Sequence, residues 1–225
     1  LYIWGGDTYA PSGTITLVSA TSSVNAGGDI KFASSTSILN LGTYALTLGG
    51  DFLNSIGGTL TLSSGQTTTF NATTTGYQIY SGSQSFQNLT FNGTGGSWIL
   101  GNDITVSGDL SLSAGTLDAS STGNFGITLA GNWLNSGGTF TPRSGTVTLN
   151  GTNQSVSSTN TFYNFTKTVT ASSSLTFASN TTQTINGALT LQGAVGNNRL
   201  AVQSNQSGQQ WIINPRGSIL VSYLK

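Results

Sequence analysis

The sequence predicts an all-β chain coiled as a parallel β-solenoid of about nine or ten coils, with three short strands in each coil. Three observations carry that expectation. Short apolar/polar alternations bounded by Gly, Asn and Ser recur along the whole chain, among them Ala45-LTL, Gly58-TLTL, Asp103-ITV, Gly126-ITL, Gly145-TVTL and Ala188-LTL. No window repeats apolar residues at the three- and four-residue spacing of a helix, and glycine, which weakens a helix interior by about 1 kcal/mol, punctuates the whole chain. Third, the chain repeats itself: LGGDFLN at Leu48 to Asn54 returns as LAGNWLN at Leu129 to Asn135.

The repeat extends beyond those seven positions. GGTLTLSSG at 57–65 matches GGTFTPRSG at 137–145, FQNLTF from Phe86 matches FYNFTK from Phe162, and VSGDLSL from Val106 matches INGALTL from Ile185. The offset drifts slightly from one match to the next, so loops take insertions while strands are kept. A partial earlier copy is visible from Val24, and the chain reads as a single solenoid over 1–225: a partial copy over 13–47, copies over 48–128 and 129–193, and final coils over 194–225. Coils of about 20 to 27 residues stack strands in parallel at about 4.8 Å around a narrow interior, with Gly and Asn at corners that need positive φ. A pair of β-sandwiches is the structural rival, and it is disfavoured because FGITLAGN runs from one copy into the next without a linker.

Composition narrows the function. Six acidic and six basic residues make 5% of 225, where about 25% is usual, so hydroxyl and amide groups must supply the polar surface. An apolar share of 36% and an aromatic share of 9% argue against disorder. Zero formal charge offers no attraction to nucleic acid or to an anionic membrane surface, and no apolar run is long enough to insert in a membrane as a helix. His, Cys, Met and Glu are all missing, which removes most of the catalytic alphabet and every disulfide. No cofactor is expected. Pro11, Pro142 and Pro215 are expected at turns or strand edges. Both ends look cut, with room for a signal peptide ahead of Leu1.

Asp103 and Asp109, close in sequence, are the nearest thing to a carboxylate pair for acid/base work or Ca²⁺. Each follows Asn or Gly and precedes a strand, where an Asx-turn is expected, and the counterpart of Asp109 in the second copy is Ala188. Gly27-Gly28-Asp29 and Gly49-Gly50-Asp51 are fragments of a Ca²⁺-binding β-roll motif without the rest of it, so no metal site is expected. Asp51 becomes Asn132 in the second copy while Phe52-Leu53 stays aromatic-Leu as Trp133-Leu134, so the stretch reads as a corner followed by a core-facing strand where each unit restarts its stack. Phe52, Tyr77, Tyr80, Trp98, Trp133, Tyr163 and Trp211 could each stack on a sugar, with core stacking as the competing use, and Tyr77, Tyr80, Trp98 and Tyr163 are the candidate glycan-contacting residues. Thr-x-Thr pairs at Thr14, Thr59, Thr139 and Thr146 are too interrupted for an ice-binding array, and the Asn-x-Thr sequons at Asn71, Asn88 and Asn164 arise readily in such a composition.

The run GDFLNSIGGTLTLSSGQTTTFN…YQIYSGSQSFQNLTFNG…WILGNDITVSGDLSLSAGTLD and the closing LQGAVGNNRLAVQSNQSGQQWIINPRGSILVSYLK resemble the repeats of pectin-lyase-like and filamentous-haemagglutinin-like β-helical adhesins and autotransporter passengers. The resemblance implies a right-handed single-stranded parallel β-helix on a bacterial cell surface or in an extracellular fibre. It implies no catalytic residues, since lyases of this fold use clustered Asp with Arg or Lys. The expected function is therefore non-enzymatic: a structural or adhesive segment that self-assembles end to end or side by side into fibres, or holds a surface glycan or host protein. A glycan-binding module using exposed aromatics is the alternative, ahead of a polysaccharide lyase or an ice-binding protein.

Overall fold

A computed structural model describes residues 2–3, 8–9, 14–16 and 24–225, with side chains from Ala26 onward. Every described element is a strand, and every strand pairing is parallel. The strands fall on three faces, taken in turn as the chain winds. The first face stacks ten strands, from Tyr2–Ile3 through Leu46–Leu48, Thr67–Phe70 and Trp133–Asn135 to Leu200–Ser204. The second includes Phe52–Leu53, Tyr77–Tyr80, Thr139–Thr141, Asn160–Phe162 and Ile212–Pro215. The third runs unbroken through seven strands from Ser85–Phe86 to Ile219–Ser222, with Thr14–Thr16, Ile38–Gly42 and Thr59–Leu62 forming a separate sheet before it.

This parallel β-solenoid has about seven continuous turns, slightly fewer than the nine or ten coils expected, although the first face alone reaches ten strands. Coils of about 20 to 27 residues over 225 give about nine or ten only if all three faces are continuous, whereas the ladders on the other two faces break. Coils also vary in length: the step from Val147 to its ladder partner Phe165 is much shorter than the step from Gln183 to Ile213.

Alternation sets what is inside. In Ile38–Gly42, Thr67–Phe70 and Thr146–Leu149 every second residue is buried, because successive side chains leave opposite sides of a strand. The inward residues form one apolar core along the described coils, filled by two aromatic runs. Phe32, Phe52, Phe86, Phe70, Phe91 and Trp98 touch in series at centroid distances of 5.2 to 6.4 Å. Trp133, Phe140, Phe162, Phe165, Phe177 and Trp211 do so at 4.6 to 6.5 Å. Leu100, Ile104, Val106, Leu110, Leu112, Leu117, Ile127 and Leu129 fill the stretch between them. Phe52 and Trp133 are both fully buried, in keeping with a core-facing strand after the corner.

The sequence repeat and the coil are out of step. Leu48 ends a first-face strand and Phe52 opens a second-face one, whereas Leu129 ends a third-face strand and Trp133 opens a first-face one. Phe86 and Phe162 differ in the same way, third face against second, as do Val106 and Ile185. The unit advances the chain by eleven strand positions, counting Asn88–Leu100 and Leu110–Asp118 as two each, one short of four coils of three. Each copy is therefore turned back by one face, and the unit does not restart its stack at the same corner. One strand-corner-strand module serves all three corners, because each corner poses the same problem: a sharp bend whose N–H and C=O groups need partners.

Candidate functional site

Among the described residues, the aspartates act as corner acceptors. Asp109 Oδ1 accepts the backbone N–H of Asn132 at 2.7 Å and its side-chain amide at 3.0 Å. Asn132 Oδ1 accepts the N–H of Ser155 at 2.8 Å, and one coil below, Asn88 Oδ1 accepts the N–H of Asp109 at 2.9 Å. Asp103 Oδ1 takes the N–H of Gly126 at 2.7 Å. The Asx-turns expected at Asp103 and Asp109 are thus replaced by bonds to the next coil. Such a bond supplies an acceptor to an N–H that the corner lifts out of the ladder. The local turn is found at Asp118, whose Oδ1 accepts the N–H of Ser120 while its carboxylate pairs with Arg143 at 2.6 Å. That guanidinium holds the Asp118 carboxyl below its usual range.

Asp29 and Asp51 stack in the same manner, Asp29 Oδ1 accepting the N–H of Asp51 at 2.8 Å and Asp51 Oδ1 that of Gln78 at 2.6 Å. Burial raises the Asp51 carboxyl, the Gln78 N–H opposes it, and the Asp29 charge adds to the rise. The glycines beside them are fixed by coil stacking: a Cβ on Gly50 would lie 2.3 Å from Asp29 Oδ1 and 2.6 Å from the Gly28 carbonyl carbon. Among the described residues, no three His, Cys, Asp or Glu side chains gather as a metal-binding group.

The four candidate aromatics separate. Trp98 is fully buried in the first aromatic run, its indole N–H without an acceptor, so it is no contact surface; it sits on the inward phase of its strand, Leu89, Phe91, Trp98 and Leu100 all being buried. The Tyr80 ring lies against Gly101 one coil on, where an added Cβ would come within 2.4 Å, and the Tyr163 ring covers Gly187 at 2.8 Å. These two tyrosines each roof a bare glycine at a bend of the next coil, an arrangement that shields exposed backbone. Tyr77 lines a cleft of about 150 Å³ with Gly27, Gly28, Asp29, Gly49 and Gly50; its hydroxyl is 2.8 Å from Thr74 Oγ1.

Three clefts lie along one edge of the solenoid, the corner where the first face turns into the second. The Tyr77 cleft is the first. The second, about 190 Å³, lies between Asn135–Phe140 and Thr159–Thr161, and the third, about 270 Å³, is lined by Asn180, Thr181, Thr182, Gln210, Trp211 and Ile212. Each holds one aromatic ring, Tyr77, Phe140 or Trp211. They differ in what their polar groups already do. In the middle cleft Asn160 binds Trp133 Nε1, Asn135 and Gln183, so its capacity is spent. In the third, Asn180 and Gln210 bond to each other only through backbone, from Asn180 N–H to Gln210 O at 2.8 Å. Both side-chain amides are exposed and make no bond to the described residues. Trp211 stacks on Phe177 at 4.6 Å and 28° and remains partly exposed.

One further polar cluster was not foreseen. Lys167 is fully buried, its amine donating to Gly151 O at 2.8 Å and Gln154 Oε1 at 2.7 Å. The Gln154 amide donates in turn to the carbonyls of Leu129, at 2.9 Å, and Gly131. Burial alone pulls the amine down to about 8. The signal was present in the repeat: FYNFTK puts Lys167 where FQNLTF has Phe91, an inward position of an alternating strand. Compared with protein-family models, with curated proteins and with solved structures, the chain matches none.

Proposed function

We propose that this chain is a stiff, uncharged, non-enzymatic spacer that displays an adhesive surface outside a bacterial cell, either anchored to it or within a fibre. The observation that carries the reading is the use of the corner side chains: Asn88, Asp103, Asp109, Asn132, Asn153 and Asn164 each accept a backbone N–H from the next coil. Groups that would otherwise be available for chemistry instead lock coil to coil, and the apolar core runs beneath them along the described coils. Rigidity along one axis follows, since bending must break ladder bonds on one side. Small-angle X-ray scattering tests it: a rod of about 4.8 Å per coil is expected, and a profile of separately moving units overturns it. Surface display is tested by antibody labelling of the cells that make the chain. Labelling without permeabilisation is expected, and labelling only after permeabilisation would refute it.

The proposed assembly partner is a second copy, end to end. The ladder that would be extended is regular to the last described strand, where Ile219 pairs with Leu189 and Val221 with Leu191 in parallel register. The strand edge there already continues, with Leu224 bridging to Leu200. Open edges template further strands. Concentration-dependent sedimentation, reduced by Val221→Lys, is expected; a monomer at every concentration counts against it.

A further inference from the structure

The four clefts differ in chemistry, and the difference points to a ligand. The cleft between the third and first faces, lined by 150–152 and 168–173, holds only backbone, hydroxyl, amide and small apolar groups, with no ring. The Tyr77 and Phe140 clefts have rings, but their amides, carboxylate and phenol hydroxyl are engaged within the chain. Of the four, the Trp211 cleft alone combines a partly exposed indole, two exposed amide side chains that make no bond to the described residues, the side chain of Thr182 and the 56%-exposed Ile212. It is also the largest of the four, at about 270 Å³. No charged residue lines it.

From this we infer that the cleft formed by Asn180, Gln210, Trp211 and Ile212 is a binding subsite for an uncharged saccharide. It would be the adhesive contact of the rod, and in that respect the inference rests on the display reading above. A pyranose ring has an apolar face of C–H groups and a rim of hydroxyls that both donate and accept. An indole already held flat on one side by Phe177 offers a rigid apolar platform at little entropic cost. Asn180 and Gln210 each bring a carbonyl and an NH₂, which matches hydroxyls that need a donor and an acceptor together. Asn180 sits at φ +58°, and its own N–H is tied to Gln210 O, so the two amides leave the same pair of adjacent coils on a fixed backbone. The absence of cations among the lining residues favours a neutral sugar over a uronate or sulfated one. The row of clefts along one edge gives an extended chain a direction to run, with Trp211 as its principal contact.

The test is an array of uncharged oligosaccharides, followed by calorimetric titration of the tightest binder, with polygalacturonate as the acidic control. Binding of a neutral oligosaccharide is expected, weakened about tenfold or more by Trp211→Ala and less by Asn180→Ala with Gln210→Ala. Tyr163→Ala, at a ring that roofs Gly187, is expected to leave it unchanged. Because Trp211 packs on Phe177, the amide double variant supplies an independent reading if Trp211→Ala unfolds. No neutral ligand on the array, preference for polygalacturonate, or unaltered affinity in these variants overturns the inference. Scattering on the same samples separates the two ideas: a rod that binds no sugar sinks only the subsite, while loss of the rod profile sinks the display reading.

Discussion

Phe91 and Lys167 occupy the same place in the two copies of the repeat, and both are fully buried, yet they are held by different physics. Phe91 lies on the first face, stacked on Phe70 at 5.4 Å and 12° and tilted against Trp98 at 5.2 Å. Lys167, one face back, is held by Gly151 O and Gln154 Oε1, with no carboxylate bonded to it. The two copies thus share a backbone module but not a filling. A parallel coil accepts an ion at an inward position when a neighbouring corner turns carbonyls toward it, and the Asn150 to Gln154 corner does so. The same corner carries the open cleft of about 180 Å³, so the polar filling and the looser packing coincide.

The largest effect that tests this contrast is expected from Phe91→Ala. It removes a ring stacked between Phe70 and Trp98 near one end of a six-membered aromatic series, and deleting a buried Phe costs about 3–5 kcal/mol. Denaturant unfolding should show that loss in the midpoint with little change in slope. A cost below about 1 kcal/mol would mean that the first run is no more tightly packed than the polar corner.

Lys167 supplies the second effect, and its sign is unusual. Its amine falls from 10.5 to about 8 on folding, so between those values the unfolded chain binds more protons than the folded one. Stability therefore rises with pH across that window, being lowest below about 8 where a charged amine stays buried. At about 1.4 kcal/mol per pH unit across that window, the gain is at most about 3.5 kcal/mol. Lys167→Met should abolish the rise while keeping the fold; an equal slope in the variant would show that the amine is not desolvated. The two acceptors suit a neutral amine, which has two N–H groups to donate.

Much of this architecture was legible because alternation and repetition are local properties. The strands at Ala45-LTL, Gly145-TVTL and Ala188-LTL, and the buried Phe52 and Trp133, follow from period-two patterning alone. What the sequence could not show was phase. Whether Trp98 faces in or out depends on its register within a 13-residue strand containing an irregularity around Gly93 to Gly96. That the copies turn by one face depends on summing loop lengths, each of which shifts the corner. Tyr80 and Tyr163 read as exposed rings, but the glycines they cover, Gly101 and Gly187, lie a full coil further along the chain. The Trp211 cleft was invisible for the same reason, since Asn180 and Gln210 become neighbours only when one coil stacks on the next.

The roofed glycines give a third, smaller effect. An alanine at Gly101 would place its Cβ 2.4 Å from the Tyr80 ring, so the ring must leave. Gly101→Ala is expected to cost about 1–3 kcal/mol, and removing the ring with Tyr80→Ala should make the same change cheaper. A double-mutant cycle reads the difference, and additivity of the two changes would rule out the contact.

The smallest effect separates the two uses a carboxylate can have. At Asp109 the oxygen that matters accepts the N–H of Asn132, and the neighbouring corners achieve the same with the amide oxygens of Asn88, Asn132 and Asn153. An amide oxygen is a sufficient acceptor, so Asp109→Asn should change stability by no more than about 0.5 kcal/mol. Asp109→Ala, which strands that N–H beside a partly buried corner, should cost about 1 kcal/mol or somewhat more. If Asp109→Asn proved as costly as Asp109→Ala, charge rather than geometry would be holding the corner. The second copy keeps the bond that reaches this position, Asn164 Oδ1 accepting the N–H of Ala188 at 2.8 Å as Asn88 Oδ1 accepts that of Asp109 at 2.9 Å, but Ala188 has no side-chain acceptor to hand on, so Asp109→Ala reproduces in the first copy what the second already carries.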